Sequence, residues 1–152
     1  MKRIHVILSL GLICFLFSAC EKNQIKNITN IGYGTSFGKC IGYCKNSLEI
    51  TDSKITLSKS TNDGRLPEKK CDNAFSADEF KALATLLNAT KIAALTETIG
   101  CPDCADGGAE WVSANLDGKL YKVTFEYGKA PKELEATVAK LKTLKEGFKD
   151  CE

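Results

Sequence analysis

Cysteine is the residue type in this chain with the most chemistry open to it. Six of the eight cysteines lie beyond the first twenty residues, namely Cys40, Cys44, Cys71, Cys101, Cys104 and Cys151. An even number of cysteines in a small exported domain indicates a disulfide framework, whose connectivity sequence alone leaves open. The segment 101–104 has a proline at the second position of a possible β-turn, which can bring its end Cα atoms within bonding range.

The working hypothesis for the connectivity is Cys40–Cys44, Cys71–Cys151 and Cys101–Cys104. An extended strand would hold Cys40 and Cys44 about 13 Å apart, so they can bond only if the glycines around them form a loop. Cys71 precedes the first predicted helix and Cys151 follows the second. Antiparallel helices would therefore bring those two cysteines together.

Two other uses of the cysteines are open. The sequence Cys-Pro-Asp-Cys resembles the active motif of thioredoxin-like proteins, which implies thiol–disulfide exchange by Cys101 and Cys104. That chemistry uses a helix N-terminus to lower a thiol pKa, whereas Ala-Asp-Gly-Gly follows here and two aspartates lie nearby. The Cys-x₃-Cys and Cys-x₂-Cys pairs could also form a four-cysteine zinc site, although an oxidising compartment favours disulfides.

Four acidic residues surround the glycine pair at 107–108, namely Glu97, Asp103, Asp106 and Glu110. Carboxylates around a glycine turn can bind Ca²⁺, and two carboxylates in a cleft can hydrolyse glycosides. The spacing is not that of an EF-hand and no cleft is indicated, so a solvated acidic loop is expected. We predict no metal, no cofactor and no catalytic residue, and keep Asp103, Asp106 and Glu110 as possible binding residues.

The composition excludes several classes of function. The one histidine, His5, lies in the N-terminal segment, so the remainder has no histidine to act as a base, a nucleophile's partner or a metal ligand. Without the first 19 residues the chain has 19 basic and 19 acidic side chains, and its formal net charge is zero. This balance argues against a nucleic-acid partner.

The first 20 residues have the layout of a secretory signal, with a basic start, an apolar run over 6–17 and small residues before Cys20. The run is shorter than the roughly 20 residues of a membrane-spanning helix. The segment 16–20, Leu-Phe-Ser-Ala-Cys, resembles the lipobox of bacterial lipoproteins, with Phe17 where leucine is usual. The resemblance implies removal of residues 1–19, a diacylglyceryl thioether on Cys20 and acylation of its new amine.

A second resemblance covers the segment 36–44, Ser-Phe-Gly-Lys-Cys-Ile-Gly-Tyr-Cys. It is similar to the opening of an uncharacterised family of small exported bacterial domains, whose pattern is Phe-Gly-x-Cys-Pro near the first strand. This chain has Ile41 where the proline stands in that pattern. The resemblance implies no known activity.

Hydrophobic periodicity locates the elements that must position these residues. Alternation over 47–59 predicts a hairpin turning at 51–54, and the composition of 60–70 predicts a loop. A capping box at 76–79 followed by apolar residues at helical spacing predicts a helix over 76–88. The segment 92–99 fits either a helical turn or a strand.

The clearest strand pair covers 111–127 and turns at Asp117-Gly118, a sequence typical of a type I′ turn. Pairing outward from this turn puts Tyr121 and Tyr127 on an apolar face and Trp111 on a polar face. Trp111 is therefore the aromatic residue expected to make an exposed contact. The predicted cross-strand pairs are Ala114–Tyr121, Val112–Val123, Ser113–Lys122 and Trp111–Thr124.

Pro131 is predicted to open a second helix at its first position, with Leu134, Val138 and Leu141 on its apolar stripe. The order hairpin, helix, hairpin, helix predicts an α+β fold: an antiparallel sheet of two hairpins with both helices on one face (ββα-ββα), stapled by disulfides. The predicted divisions are a signal peptide at 1–19, a lipidated N-terminus and tether at 20–35, and one domain at 36–152.

The expected function is that of a lipid-anchored, non-enzymatic cell-envelope protein with a binding or structural role. It would contact the membrane through its lipid, and a protein or glycan through the polar sheet face and the 101–110 loop. The alternatives are a thiol–disulfide oxidoreductase acting through Cys101 and Cys104, and an envelope-anchored enzyme inhibitor.

Overall fold

The computed structural model describes residues 27–149 and Cys151, which form one sheet with helices packed on one of its faces. A short 3₁₀ turn at Cys104–Asp106 lies between the fifth and sixth strands. The elements in chain order are β1 (Ile28–Ser36), β2 (Lys45–Ile50), β3 (Lys54–Ser60), β4 (Lys69–Ala74), α1 (Ala77–Leu87), α2 (Ala89–Ala94), β5 (Thr98–Ile99), β6 (Ala109–Leu116), β7 (Lys119–Glu126) and α3 (Glu135–Glu146).

The seven strands are ordered β4-β3-β2-β1-β6-β7-β5. Five neighbouring pairs are antiparallel, and β5 runs parallel to β7. The predicted α+β class with a mainly antiparallel sheet is therefore confirmed. The two-hairpin ββα-ββα arrangement is wrong, because β1, β4 and β5 are additional strands and β1 joins the two hairpins into one sheet.

The central strand β1 lies inside the segment that was predicted as a tether. The predicted boundary at residue 36 is therefore wrong, because the strand β1, which begins at Ile28, is part of the domain. The core-facing side chains of β1, Ile31, Tyr33 and Thr35, are buried, whereas the glycines between them are on the other face. Those glycines hide the apolar alternation that identifies a strand in a sequence. Residues 20–26 lie outside the described part of the chain.

The edge strands have little sequence signal of their own. β4 reads Lys-Lys-Cys-Asp-Asn-Ala, without apolar alternation, and it forms by pairing with β3, where Leu57 faces Cys71. At the opposite edge, the ambiguous segment 92–99 contains the end of α2 and the two-residue strand β5. Both strands form because they pair with a neighbouring strand, β3 or β7, rather than through the propensity of their own residues.

The two predicted hairpins are present. β2 and β3 are joined by a turn in which the Thr51 N–H donates to the Lys54 carbonyl. Between β6 and β7, Asp117 and Gly118 have φ angles of 53° and 83°, as a type I′ turn requires. All four predicted cross-strand pairs are found: Ala114–Tyr121, Val112–Val123, Ser113–Lys122 and Trp111–Thr124.

The first helix agrees with prediction and the second begins later than predicted. At the start of α1 the Ser76 hydroxyl accepts from the Glu79 N–H, and the Glu79 carboxylate accepts from the Ser76 N–H, which completes the capping box. Pro131 does not open α3. Its carbonyl accepts from the Leu134 N–H in a turn that precedes the helix at Glu135.

The core lies between one face of the sheet and the helices. It consists of the inward side chains of β1, β2, β3, β6 and β7 with the apolar stripes of α1, α2 and α3. The largest fully buried apolar side chains of this core include Tyr33, Phe125, Ile31, Leu48, Ile50, Leu57, Leu87, Ile92, Leu116, Leu134 and Leu141.

Among the described helices none is long and apolar enough to cross a bilayer.

Candidate functional site: the helix-free face of the sheet

The sheet has a second face that the described helices leave open. Because side chains alternate along a strand, the residues between the core positions all point to this face. Apart from Trp111 they are polar residues and glycines, and most are partly or fully exposed. The helix-free face comprises Lys70 and Asp72 of β4, Thr56 and Ser58 of β3, Ser47 and Glu49 of β2, Gly32 and Gly34 of β1, Trp111 and Ser113 of β6, and Lys122 and Thr124 of β7.

Trp111 lies at the middle of this face, as the predicted register required, and is partly exposed. Its indole occupies the space above Gly34, its partner on β1. A Cβ atom on Gly34 would come within 2.1 Å of the indole Cζ2 and 2.6 Å of Cε2. Only glycine leaves room for the ring there, so the glycine backbone fixes where the indole lies and the indole in turn covers the strand.

The neighbouring glycine is filled in the same way by a smaller group. A Cβ atom on Gly32 would lie 2.3 Å from the Ser113 Oγ. The side chains of β6 thus lie over β1, where β1 has no side chains of its own. This arrangement gives the helix-free face a low profile at its centre.

A cation approaches the exposed indole. The Lys122 Nζ is 4.6 Å from the centroid of the Trp111 ring, which is within the range of a cation–π contact. Lys122 is itself exposed, so its ammonium group can move while the fold stays intact. The contact therefore shields the indole without closing it off.

One row of residues crosses the sheet through Trp111, and we call it the Trp111 row. Its members are cross-strand partners in register: Lys70, Ser58, Ser47, Gly34, Trp111, Thr124 and Thr98. Within the described part of the chain, no hydrogen bond occupies the side-chain hydroxyls of Ser47, Ser58 or Thr124. These hydroxyls are free to bind a ligand.

The acidic side chains beside the Trp111 row already have partners. The Asn30 amide donates to the Glu49 carboxylate at 3.0 Å, and the Thr56 hydroxyl donates to the Asp72 carboxylate at 2.5 Å. Lys54 lies 3.7 Å from the same Asp72 carboxylate. The carboxylates of Glu49 and Asp72 therefore already have partners, which leaves the Trp111 row as the chemically available part of the face.

Glu110 is not part of a solvated acidic loop, as was predicted, but is fully buried. It is the second residue of β6 and shares the core face with Val112. Its carboxylate accepts hydrogen bonds from the Tyr33 hydroxyl (2.7 Å) and the Gly128 N–H (2.9 Å), and pairs with the Lys142 Nζ (3.1 Å). The group ties α3 and the segment before it to the sheet.

Two groups near the Glu110 carboxylate, Tyr33 and Lys145, have shifted pKa values. Burial raises the pKa of Tyr33 well above its ordinary range, and the hydrogen bond to Glu110 raises it further. Burial lowers the pKa of Lys145, against the attraction of Glu110. Both shifts follow from a desolvated cluster that packs α3 on the sheet, and they require no ligand.

The remaining acidic candidates hold loops together. The Asp103 carboxylate accepts from the Gly38 N–H at 3.3 Å, and Asp106 pairs with Lys39 at 2.8 Å. Both contacts join the 101–108 loop to the segment between β1 and β2. No group of three histidine, cysteine or acidic residues that could hold a metal ion occurs among the described residues.

Tyr121 and Tyr127 were both expected to pack in the core, but they differ in burial. Tyr121 is partly buried and packs against the core cluster. Tyr127 is 44% exposed, so its prediction is wrong. It follows β7 rather than continuing it, and its ring packs edge-on against Phe37 with the centroids 4.9 Å apart.

The structure joins the six described cysteines as Cys40–Cys44, Cys71–Cys151 and Cys101–Cys104, with Cα separations of 5.6, 6.0 and 5.5 Å. These are the pairs of the working hypothesis. Cys71 precedes α1, as the hypothesis assumes, and lies within the edge strand β4.

The redox alternative lacks its structural setting in the described residues. Cys104 opens a three-residue 3₁₀ turn rather than an α-helix, and Asp103 before it has a φ of 61°. No helix dipole is therefore directed at Cys101 or Cys104 to lower a thiol pKa. Cys20, the predicted lipidation site, lies outside the described residues.

Sequence reasoning missed three contributors to these sites. Gly32 and Gly34 were included in a tether, although two glycines separated by one residue between apolar residues are compatible with a strand whose other face is covered. Glu110 was assigned to a loop, although its spacing of two from Val112 places both on one face of a strand.

The chain as a whole matches no protein-family model and no curated protein.

Proposed function

We propose that this protein is a lipid-anchored component of a bacterial cell envelope, with a non-enzymatic binding role carried by the helix-free face. Cys20 bears the lipid in this proposal, and the domain from Ile28 onward stands at the membrane surface. The membrane is the first partner, and a protein or glycan bound by the domain is the second.

The observation that carries the anchoring is the segment 16–20, Leu-Phe-Ser-Ala-Cys, after a basic start and a short apolar run. A thioether-linked diacylglycerol and an amide-linked acyl chain would together provide stable membrane attachment, because one chain alone binds only reversibly. The balanced charge beyond residue 19 offers no electrostatic attraction to anionic lipid, so the chains must supply the binding energy.

The disulfides support an exported location. Six cysteines are joined in three pairs, and two of these close short exposed loops. Disulfides of this kind form and persist in oxidising compartments such as the periplasm or the cell surface, and are rare in the cytosol.

The binding role is supported by the contrast between the two sheet faces. One face is filled by the helices, whereas the other presents a partly exposed tryptophan in a row with the hydroxyl groups of Ser47, Ser58 and Thr124, which have no partner among the described residues. Tyr33 and Lys145, the groups with shifted pKa values around Glu110, are part of the packing of α3 rather than of an open site.

The anchoring is tested by labelling bacteria that express the chain with an alkyne-tagged palmitate. The wild-type protein should carry the label, fractionate with membranes and begin at Cys20. Its intact mass should exceed that of the polypeptide by the mass of the diacylglyceryl group and the amide-linked acyl chain. Cys20→Ser should lose the label. The matched control is Cys14→Ser, which removes another cysteine of the same segment and should leave the labelling intact.

An unlabelled wild-type protein would refute the anchoring. The same conclusion would follow if Cys20→Ser still carried the label, or if the mature protein retained residues 1–19.

A further inference from the structure

We propose that the ligand of the helix-free face is an extended, neutral, β-linked glycan chain that stacks on Trp111 and lies along the Trp111 row. This inference rests on the binding role proposed above and narrows its partner to one class of ligand. It is independent of the lipid on Cys20.

The first element of such a site is an aromatic ring held in place before the ligand arrives. Gly34 provides the space in which the indole lies, and the Asn46 carbonyl oxygen closes that space from the side. A ring fixed by the backbone loses little freedom when a sugar stacks on it, so more of the contact energy appears as affinity. The C–H face of a pyranose is apolar and suits an indole surface.

The second element is a line of hydroxyl groups that continues from the ring in both directions. Ser47 and Ser58 follow on one side of Gly34, and Thr124 and Thr98 follow on the other side of Trp111. Adjacent strands are about 4.8 Å apart, which is close to the length of one pyranose unit in an extended chain. Successive sugars of a ribbon-like glycan would therefore meet successive side chains of the row.

The third element is that every member of the row other than Trp111 and Lys70 is small and uncharged. Lys70 at the β4 edge is its only charged member. The core of a protein–protein interface is typically enriched in aromatic, methionine and arginine side chains, and this row has one such residue. A nucleic acid would require several cations directed at phosphates. Small hydroxyls around one aromatic ring match a polyhydroxylated, uncharged ligand better than either macromolecule.

Lys122 fits the same ligand. Its ammonium group stands 4.6 Å from the indole centroid and belongs to an exposed side chain. When a sugar takes the place beside the ring, this donor can turn to the hydroxyl or ring oxygens of the same sugar.

Trp111 is the only tryptophan in the sequence, so intrinsic fluorescence reports on this site alone. The purified native protein is titrated with cellohexaose and chitohexaose, which are extended, and with maltohexaose, which coils. We expect a saturable change in emission with at least one of the two extended oligosaccharides and a weaker response or none with maltohexaose.

Variants test whether the row makes the contact. Trp111→Ala should weaken retention on cellulose or chitin by about tenfold or more. Ser58→Arg keeps the fluorescent reporter but blocks the row, and should raise the concentration needed for half-saturation. Thr85→Arg adds the same charge and bulk on α1, on the opposite side of the molecule, and should bind as the wild type does. Circular dichroism confirms that each variant is folded.

The proposal is overturned if neither extended oligosaccharide changes the emission. It is also overturned if folded Ser58→Arg binds as well as the wild type, or if Thr85→Arg loses binding to the same extent. Failure of palmitate labelling at Cys20 alongside intact glycan binding would reject the anchor and keep this site. The converse result would reject the site and keep the anchor.

Discussion

Gly34 and Trp111 show how a single absent side chain can organise a surface. The indole lies where the Cβ of any other residue at position 34 would be. That Cβ would also clash with the carbonyl oxygen of Asn46, which belongs to the backbone and cannot rotate away. Gly32 is in a similar position, but its neighbour is the hydroxyl of Ser113, which can rotate. The two glycines therefore differ in how much a methyl group should cost.

We expect Gly34→Ala to reduce the free energy of unfolding by about 1–3 kcal/mol, the usual cost of forcing extra volume into a packed site. Displacement of the indole should also shift the tryptophan emission. Gly32→Ala is the matched control and should cost less. Urea denaturation followed by fluorescence measures both, and equal costs for the two variants would contradict the proposed contact.

Glu110 is the other residue whose role depends on its surroundings rather than its type. Its carboxylate is fully buried and receives three partners from three separate segments of the chain. Removing one partner of a buried ion pair leaves the other charge without compensation, which costs more than the pair itself contributes. The Lys142 side chain is 35% exposed, so part of the penalty is relieved by water.

Lys142→Met should therefore lower the free energy of unfolding by about 1–3 kcal/mol, because it leaves Glu110 charged and buried. The double variant Glu110→Gln with Lys142→Met should recover part of this loss, since no charge is then left unpaired. Lys140→Met, an exposed substitution in the same helix, is the control. Strictly additive costs in chemical denaturation would argue against the ion pair.

At the scale of secondary structure, α1 is the element with the clearest local signals. Ser76 and Glu79 form a reciprocal cap, and the apolar stripe of the helix follows directly. Hydrogen bonds from the Ser76 N–H and hydroxyl hold the pKa of Glu79 below its ordinary value. The folded state thus favours the ionised carboxylate, and the cap becomes weaker when that carboxylate is protonated.

The pH dependence of stability should reveal this cap. The wild type should be more stable than Glu79→Gln above the ordinary pKa of glutamate. The difference should shrink as the pH falls through the lowered pKa of the folded state and vanish below it. Asp78→Asn removes a charge from the same turn without removing the cap and serves as control. A difference between wild type and Glu79→Gln that is unchanged at about pH 2 would exclude the mechanism.

The helices and strands differ in whether the sequence signals that predict them lie close by in the chain. β6, β7 and α1 were predictable because Asp117-Gly118 and the capping box act within a few residues of the structure they start. β1 and β4 were not, since the first is stabilised by strands on both sides and the second by pairing with β3. Trp111 could be placed on its face from the hairpin register, but not above Gly34, because that contact joins residues far apart in the chain.

At the scale of the whole molecule, the Cys71–Cys151 disulfide closes the largest loop. It joins the edge strand β4 to the chain after α3 across a separation of 80 residues, whereas Cys101–Cys104 spans three. In the chain-entropy description, a longer closed loop restricts the unfolded state more strongly. Most of the covalent stabilisation should therefore come from this one bond.

Replacing Cys71 and Cys151 together by alanine should lower the free energy of unfolding by about 4–5 kcal/mol. Replacing Cys101 and Cys104 together is the matched comparison, and the same description predicts a loss of about 2 kcal/mol. Thermal unfolding of the two double variants under non-reducing conditions measures the difference. Equal losses would mean that the chain-entropy argument does not describe this domain.

The position of β1 has a mechanical consequence for a protein held by its N-terminus. Tension applied ahead of Ile28 would enter β1, a strand that has hydrogen-bonded neighbours along both sides, β2 and β6. A pull along that axis stretches two ladders of backbone bonds at the same time, in shear, instead of opening them one after another. If the chain is tethered as proposed, the domain is attached through an interior strand of the sheet rather than through an edge strand.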